Sequence, residues 1–146
     1  MAVLLALVVG ACDDAPPPAG GASPVPSPAA FVGPAWSALS IRGLAVPPGI
    51  PVQVSFTVDE VRGTGPCNSF GGRYRLEMGS GRVAFDEMAA TARGCVDENR
   101  TAIDVAFFQA ISRADRLFLD PDGRLHLTGA AGEVVLSRVT VPGPTD

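Results

Sequence analysis

Val52-Gln53-Val54-Ser55-Phe56-Thr57-Val58 alternates apolar and polar side chains without a break. A strict period of two is the signature of a half-buried strand, and it places Val52, Val54, Phe56 and Val58 on the inward face. Upstream, Trp36, Leu39 and Ile41 make a short apolar-spaced run that ends near Gly43, the first expected strand. Between the two, residues 46–51 (Val-Pro-Pro-Gly-Ile-Pro) hold three prolines, which a central strand does not accept because each removes a ladder donor. Downstream, Asp59 to Gly65 reads as a turn. Cys67 to Leu76 is the next strand, with Tyr74 and Leu76 on one face. Gly79-Ser80-Gly81 turns again, and Arg82-Val83-Ala84-Phe85 begins another strand.

One segment departs from this pattern. In residues 97–112, Ile103, Phe107 and Ile111 recur every four positions with Ala106 and Ala110 beside them, an apolar stripe along a helix. Asp97, Glu98 and Asp104 lie toward its N-terminus, where negative charge complements the helix dipole. Then Arg116 to Leu119, a Pro121-Asp122-Gly123 turn and Arg124 to Thr128 make a hairpin, and Glu133 to Val139 is the last strand. Short strands at close spacing around one helix predict an α+β domain, a small antiparallel β-barrel-like unit with one helix.

The chain of 146 residues has room for one such domain, which these elements place at residues 34–141 with a tail at 142–146. The first 11 residues belong to something else. Ala2 to Val9 is apolar throughout, too short for a permanent bilayer crossing and of the length of a signal-peptide core. Leu7-Val8-Val9-Gly10-Ala11-Cys12 follows on and resembles the bacterial lipobox. The resemblance implies lipid transfer to the Cys12 sulfur and cleavage before it, with two or three acyl chains giving a stable membrane anchor. A positive n-region is missing, since the first Arg is Arg42. Residues 12–33 then form a proline-rich tether that buries too little to fold and is expected to be dispensable for folding. At ~3.1 Å per residue in polyproline II it spans up to roughly 60 Å, enough to lift the domain off a lipid surface. Such a protein sits in the cell envelope, on the outer face of the cytoplasmic membrane or on the outer membrane. Asp13 after the lipidated Cys resembles an inner-membrane retention signal.

Composition argues against several functions. The net charge is −4 with both signs interspersed, all basic residues are Arg, and no basic patch suits nucleic acid. His126 is the only histidine, so no two-histidine metal site exists, and neither a metal nor another cofactor is expected. Lying between Leu125 and Leu127 on a strand, it points away from the core and reads as a surface side chain, not as a general base. No nucleophile elbow, P-loop or dinucleotide fingerprint appears. The neighbouring carboxylates Asp59 and Glu60, and Asp86 and Glu87, read as solvated turns. The chain is therefore expected to have no catalytic residues. Phe70, Tyr74, Phe85, Phe107, Phe108 and Phe118 either fill the barrel or line a cavity for an apolar ligand.

Gly65-Pro66-Cys67-Asn68-Ser69-Phe70-Gly71-Gly72-Arg73-Tyr74 resembles the Gly-Cys-Asn-x-Phe-x-Gly-x-Tyr strand of the META domain, also called HslJ-like. Trp36-x-x-Leu39 before it, and Thr91-Ala92-Arg93-Gly94-Cys95, the helix with Phe107 and the Leu125–Gly132 hairpin after it, follow that family's order. Pro66, Arg93 and Gly94 depart from its usual residues. The resemblance implies an antiparallel barrel-like fold with one helix, a role in envelope stress tolerance or secretion, and no catalytic residues. Asn68, Phe70 and Tyr74 are the candidate binding residues, Asn68 doubling as a residue that bonds the local backbone.

The resemblance also places the segments of Cys67 and Cys95 in one barrel. With Cys12 lipidated, these two remain in a compartment that permits oxidation, so a disulfide is expected. Two buried free thiols or a redox-active pair are the other outcomes. The function read from the sequence is a non-catalytic, membrane-anchored module that binds or supports an envelope protein. The alternative is a carrier of a small apolar or lipid ligand in the barrel interior.

Overall fold

The computed structural model describes residues 27–140. Cys12, the 1–11 segment, the tether up to residue 26 and the 142–146 tail lie outside the described residues.

The chain comes in through a four-residue helical turn, α1 (Pro28–Phe31), and enters strand β1 (Ala35–Ile41). Arg42 and Gly43 both take positive φ, 53° and 78°, the pairing a type I′ turn needs, and return the chain as the two-residue β2 (Leu44–Ala45). β3 (Gln53–Phe56), β4 (Glu60–Thr64), β5 (Ser69–Glu77) and β6 (Arg82–Ala90) then run as an antiparallel meander. Helix α2 (Glu98–Ser112) follows, capped by Asp97, whose side chain accepts the Arg100 amide at 2.9 Å. β7 (Ala114–Leu119), β8 (Leu125–Gly129) and β9 (Gly132–Arg138) complete the meander. Pairing of β9 with β1 closes eight strands into a barrel, and β2 stands outside as a short extra strand on β1. The expected small antiparallel barrel with one long helix is the fold found.

The interior is filled by side chains, as eight-stranded barrels generally are. Trp36, Phe56, Leu117, Leu125, Leu127 and Leu136 are fully buried there. α2 packs on β1, β6, β8 and β9 through Phe107, Ala110 and Ile111. Antiparallel registers fix two ends. α1, the β3–β4, β5–β6 and β7–β8 turns and the C-terminus of β9 share the near end, where the chain comes in. The β1–β2, β4–β5 and β8–β9 turns lie at the far end, with the approach to α2.

Four readings change. Val58 is 83% exposed, because β3 ends at Phe56 and Val58 sits in the tight turn to β4. Residues 60–64 are a strand and not a turn; only Val61 faces inward, and Gly63 is bare because the Phe70 ring lies where a Cβ would stand. Asp86 and Glu87 belong to β6, where Glu87 (φ 54°) is the extra residue of a bulge opposite Gly72. Phe31 is fully buried against Phe56 and Tyr74, so the packed residues reach back to the 28–31 turn, ahead of the expected start at residue 34.

Candidate binding surface and the latch beside it

Cys67 and Cys95 are disulfide-bonded, with Cα atoms 5.2 Å apart. The bond ties the β4–β5 turn to the segment that leads into α2. A hydrogen-bonded latch joins the same two segments. Asp104, near the middle of α2 and itself buried, accepts the Cys67 and Asn68 amides on Oδ1, each at 3.1 Å. Its Oδ2 accepts the Asn68 side-chain amide at 2.7 Å. Asn68 Oδ1 in turn accepts the Arg93 amide at 2.8 Å and the Thr91 hydroxyl at 3.1 Å. Gly65 is obligatory here, since a Cβ would collide with the Asp104 carboxylate. Asn68 thus has the backbone-bonding role its type suggested, and its polar atoms are taken up by the latch. Sequence reading placed Asp104 among the dipole-favouring acids and missed that it faces inward; the signal was its place, one residue after Ile103, near the buried stripe.

Phe70 and Tyr74 are core residues. Phe70 meets Phe107 and Phe108 edge-on at 5.5 and 5.9 Å. Tyr74 packs on Phe31, Phe56 and Phe85, and its hydroxyl donates to the Thr57 carbonyl at 2.6 Å. Burial pushes its phenol up to about 12, with the nearby Asp59 carboxylate adding to the shift. Phe118 lies on the outer face, stacked on His126 with ring centroids 4.7 Å apart. His126 does point away from Leu125 and Leu127, but it is not solvated: its side chain is only 16% exposed. Its Nδ1 lies 2.8 Å from Glu133 and its Nε2 3.2 Å from Asp120. Asp120 is held below the usual carboxylate range, first by the Arg124 amide it accepts and then by His126. This cluster braces the β7–β8 hairpin against β9. Among the described residues no group of three or more His, Cys, Asp and Glu is placed to hold a metal ion.

An apolar groove of about 260 Å³ lies at the far end between β2 and α2. Ile41, Leu44, Val46, Ala102, Ile103 and Ala106 line it, with Arg42 at the rim. Leu44 is 75% exposed on its wall, held up by the type I′ turn. The turn is itself fixed: Arg42 Nε donates to the Ala131 carbonyl at 2.7 Å and Nη2 to Gln109 Oε1 at 2.9 Å. These bonds hold Arg42 in a left-handed conformation that costs a non-glycine residue about 1–2 kcal/mol. No sequence pattern marks Leu44 for a site.

A filled antiparallel barrel with a disulfide, a latch and a fixed apolar groove is the frame of a binding-type module. The chain belongs to the META domain family, whose model matches residues 29–141. Two solved structures are similar. One, an NMR structure of a protein from Burkholderia xenovorans, is 22% identical with a TM-score of 0.59, over 87% of this chain and 99% of that one. The other, also solved by NMR, is 19% identical with a TM-score of 0.62, over 76% and 93%. At these identities they establish the fold alone. No curated protein matches the chain. Neither the family match nor the two structures give a sign of catalysis.

Proposed function

We propose that this chain is a non-catalytic envelope lipoprotein, lipid-anchored through Cys12, whose META domain binds or supports another envelope protein in stress tolerance or secretion. The observation that supports this most is the division of labour between the ends. The chain comes into the domain at the near end, and the apolar groove with exposed Leu44 lies at the far end. A module tethered at one end and apolar at the other suits contact with a partner held away from the anchor. The barrel's own strands and α2 fill its interior, which disfavours a carrier whose ligand lies wholly inside it.

A photoreactive residue at Leu44, in the full chain expressed in its own envelope, tests the reading. A discrete cross-linked species absent when the residue is placed at outward-facing Arg116 is expected. The same cross-links from both positions, or none from Leu44, would refute the far-end groove as the contact.

A further inference from the structure

The near end of the barrel is closed by a segment that is no part of the barrel. Phe31 fills a pocket between Phe56 and Tyr74, at ring-centroid distances of 5.5 and 6.2 Å. Two side-chain donors hold the backbone of this strap. Trp36 Nε1 donates to the Phe31 carbonyl at 3.0 Å, and Arg138 Nη2 donates to the Ala30 carbonyl at 2.7 Å. The Arg138 guanidinium also lies 5.5 Å from the centre of the Trp36 ring. Without the strap, this end presents an aromatic-walled apolar pocket with an indole N–H and a guanidinium at its mouth.

We propose that this pocket is a binding site for an amphipathic carboxylate of the fatty-acid class, which the Pro28–Phe31 strap occupies as an internal competitor. The apolar chain takes the place of the Phe31 ring. The carboxylate takes the two donors now given to the strap carbonyls, and gains from them because a charged acceptor binds a guanidinium more strongly than a carbonyl does. The strap is linked to the barrel by Val32, Gly33 and Pro34; Gly33 turns the chain at φ 100°, and its amide donates to the Phe56 carbonyl at 3.0 Å, so the strap beyond it is what must move. The site deepens the reading of the domain as a binding module. It lies at the opposite end from the Leu44 groove, so failure of the cross-link there and failure here are separate results.

The test uses decanoate and the full chain lacking residues 28–32, read by the emission of Trp36, the only tryptophan. Decanoate should bind this chain about a hundredfold tighter or more than the unaltered one, because no buried Phe31 ring has to be displaced. Adding Arg138→Gln should weaken decanoate about tenfold while leaving decanol binding unchanged. A folded deletion chain that does not bind decanoate, or binds it regardless of Arg138, overturns the proposal. Hydrogen exchange of the Trp36 indole N–H in the unaltered protein decides the matter if the deletion chain does not fold. Exchange faster than the Leu125 and Val134 amides in the free protein, and slowed by decanoate because its carboxylate takes the same indole N–H, is expected. Exchange only at the rate of those amides would make the strap an integral part of the barrel and end the proposal.

Discussion

The Asn68 side-chain amide donates to Asp104 Oδ2 across 2.7 Å, joining the β4–β5 turn to α2 over 36 positions of sequence. Asn68 must donate to Asp104 and accept from Thr91 and Arg93, while Asp104 must accept from three donors.

Exchanging the two side chains therefore tests the latch. Asn68→Asp sets two carboxylates against each other, and Asp104→Asn sets two amide groups face to face. Each single change should cost about 2 kcal/mol in denaturant unfolding. The double exchange restores one donor facing one acceptor and should recover at least about 1 kcal/mol of the summed loss. Additive losses would mean that the two residues do not act as a pair.

Tyr74 is the only tyrosine, so ultraviolet titration reads it alone. The phenol should ionise near pH 12 in the folded protein. The unfolded chain ionises near 10. Because the folded value is the higher, the associated stability is complete below about pH 10 and is lost as the pH rises toward 12, about 2–3 kcal/mol in all. Tyr74→Phe should flatten that alkaline loss and cost about 1 kcal/mol at neutral pH through the bond to the Thr57 carbonyl. An absorbance midpoint near 10 in folded protein would contradict the buried, bonded hydroxyl.

The disulfide closes a loop of 28 positions. The chain-entropy account puts its contribution at about 3–4 kcal/mol. Cys67→Ala with Cys95→Ala should lower stability by that amount or somewhat less, and the domain should still fold, because the Asn68–Asp104 latch joins the same segments. Thiol counting on unfolded, unreduced protein should find neither Cys67 nor Cys95 free.

Most of the barrel was legible, and the exceptions have physical causes. Alternation identified β3, β5 and β8 because their inward residues are apolar at every second position. β4 shows one inward apolar residue, Val61, since Phe70 from the next strand supplies the filling at Gly63. In β6 the bulge at Glu87 shifts the period halfway along, so only its first half reads as a strand. The Cys67–Cys95 pairing followed from cysteine number and the family's order of segments. Asp104 was hidden because its partners are far away in sequence. Leu44 was hidden because an exposed leucine beside prolines carries no periodicity.

Phe31 was hidden by its proline-rich surroundings, and it supplies a further prediction. Phe31→Ala should cost about 3–5 kcal/mol, the usual range for emptying a buried aromatic site. It should also shift Trp36 emission to the red, because the carbonyl that accepts the indole N–H is Phe31's own. A change under about 1 kcal/mol would place Phe31 outside the core.

Whether the binding module is held to a membrane by a lipid on Cys12 can be read from the intact mass of the protein extracted from its native membranes. The mass should be that of a chain that begins at Cys12 and carries a diacylglycerol, with or without a further acyl group, and a Cys12→Ser variant should leave the membrane fraction. An unmodified chain that still contains residues 1–11, or a Cys12→Ser variant that stays with the membranes after a carbonate wash, would contradict it.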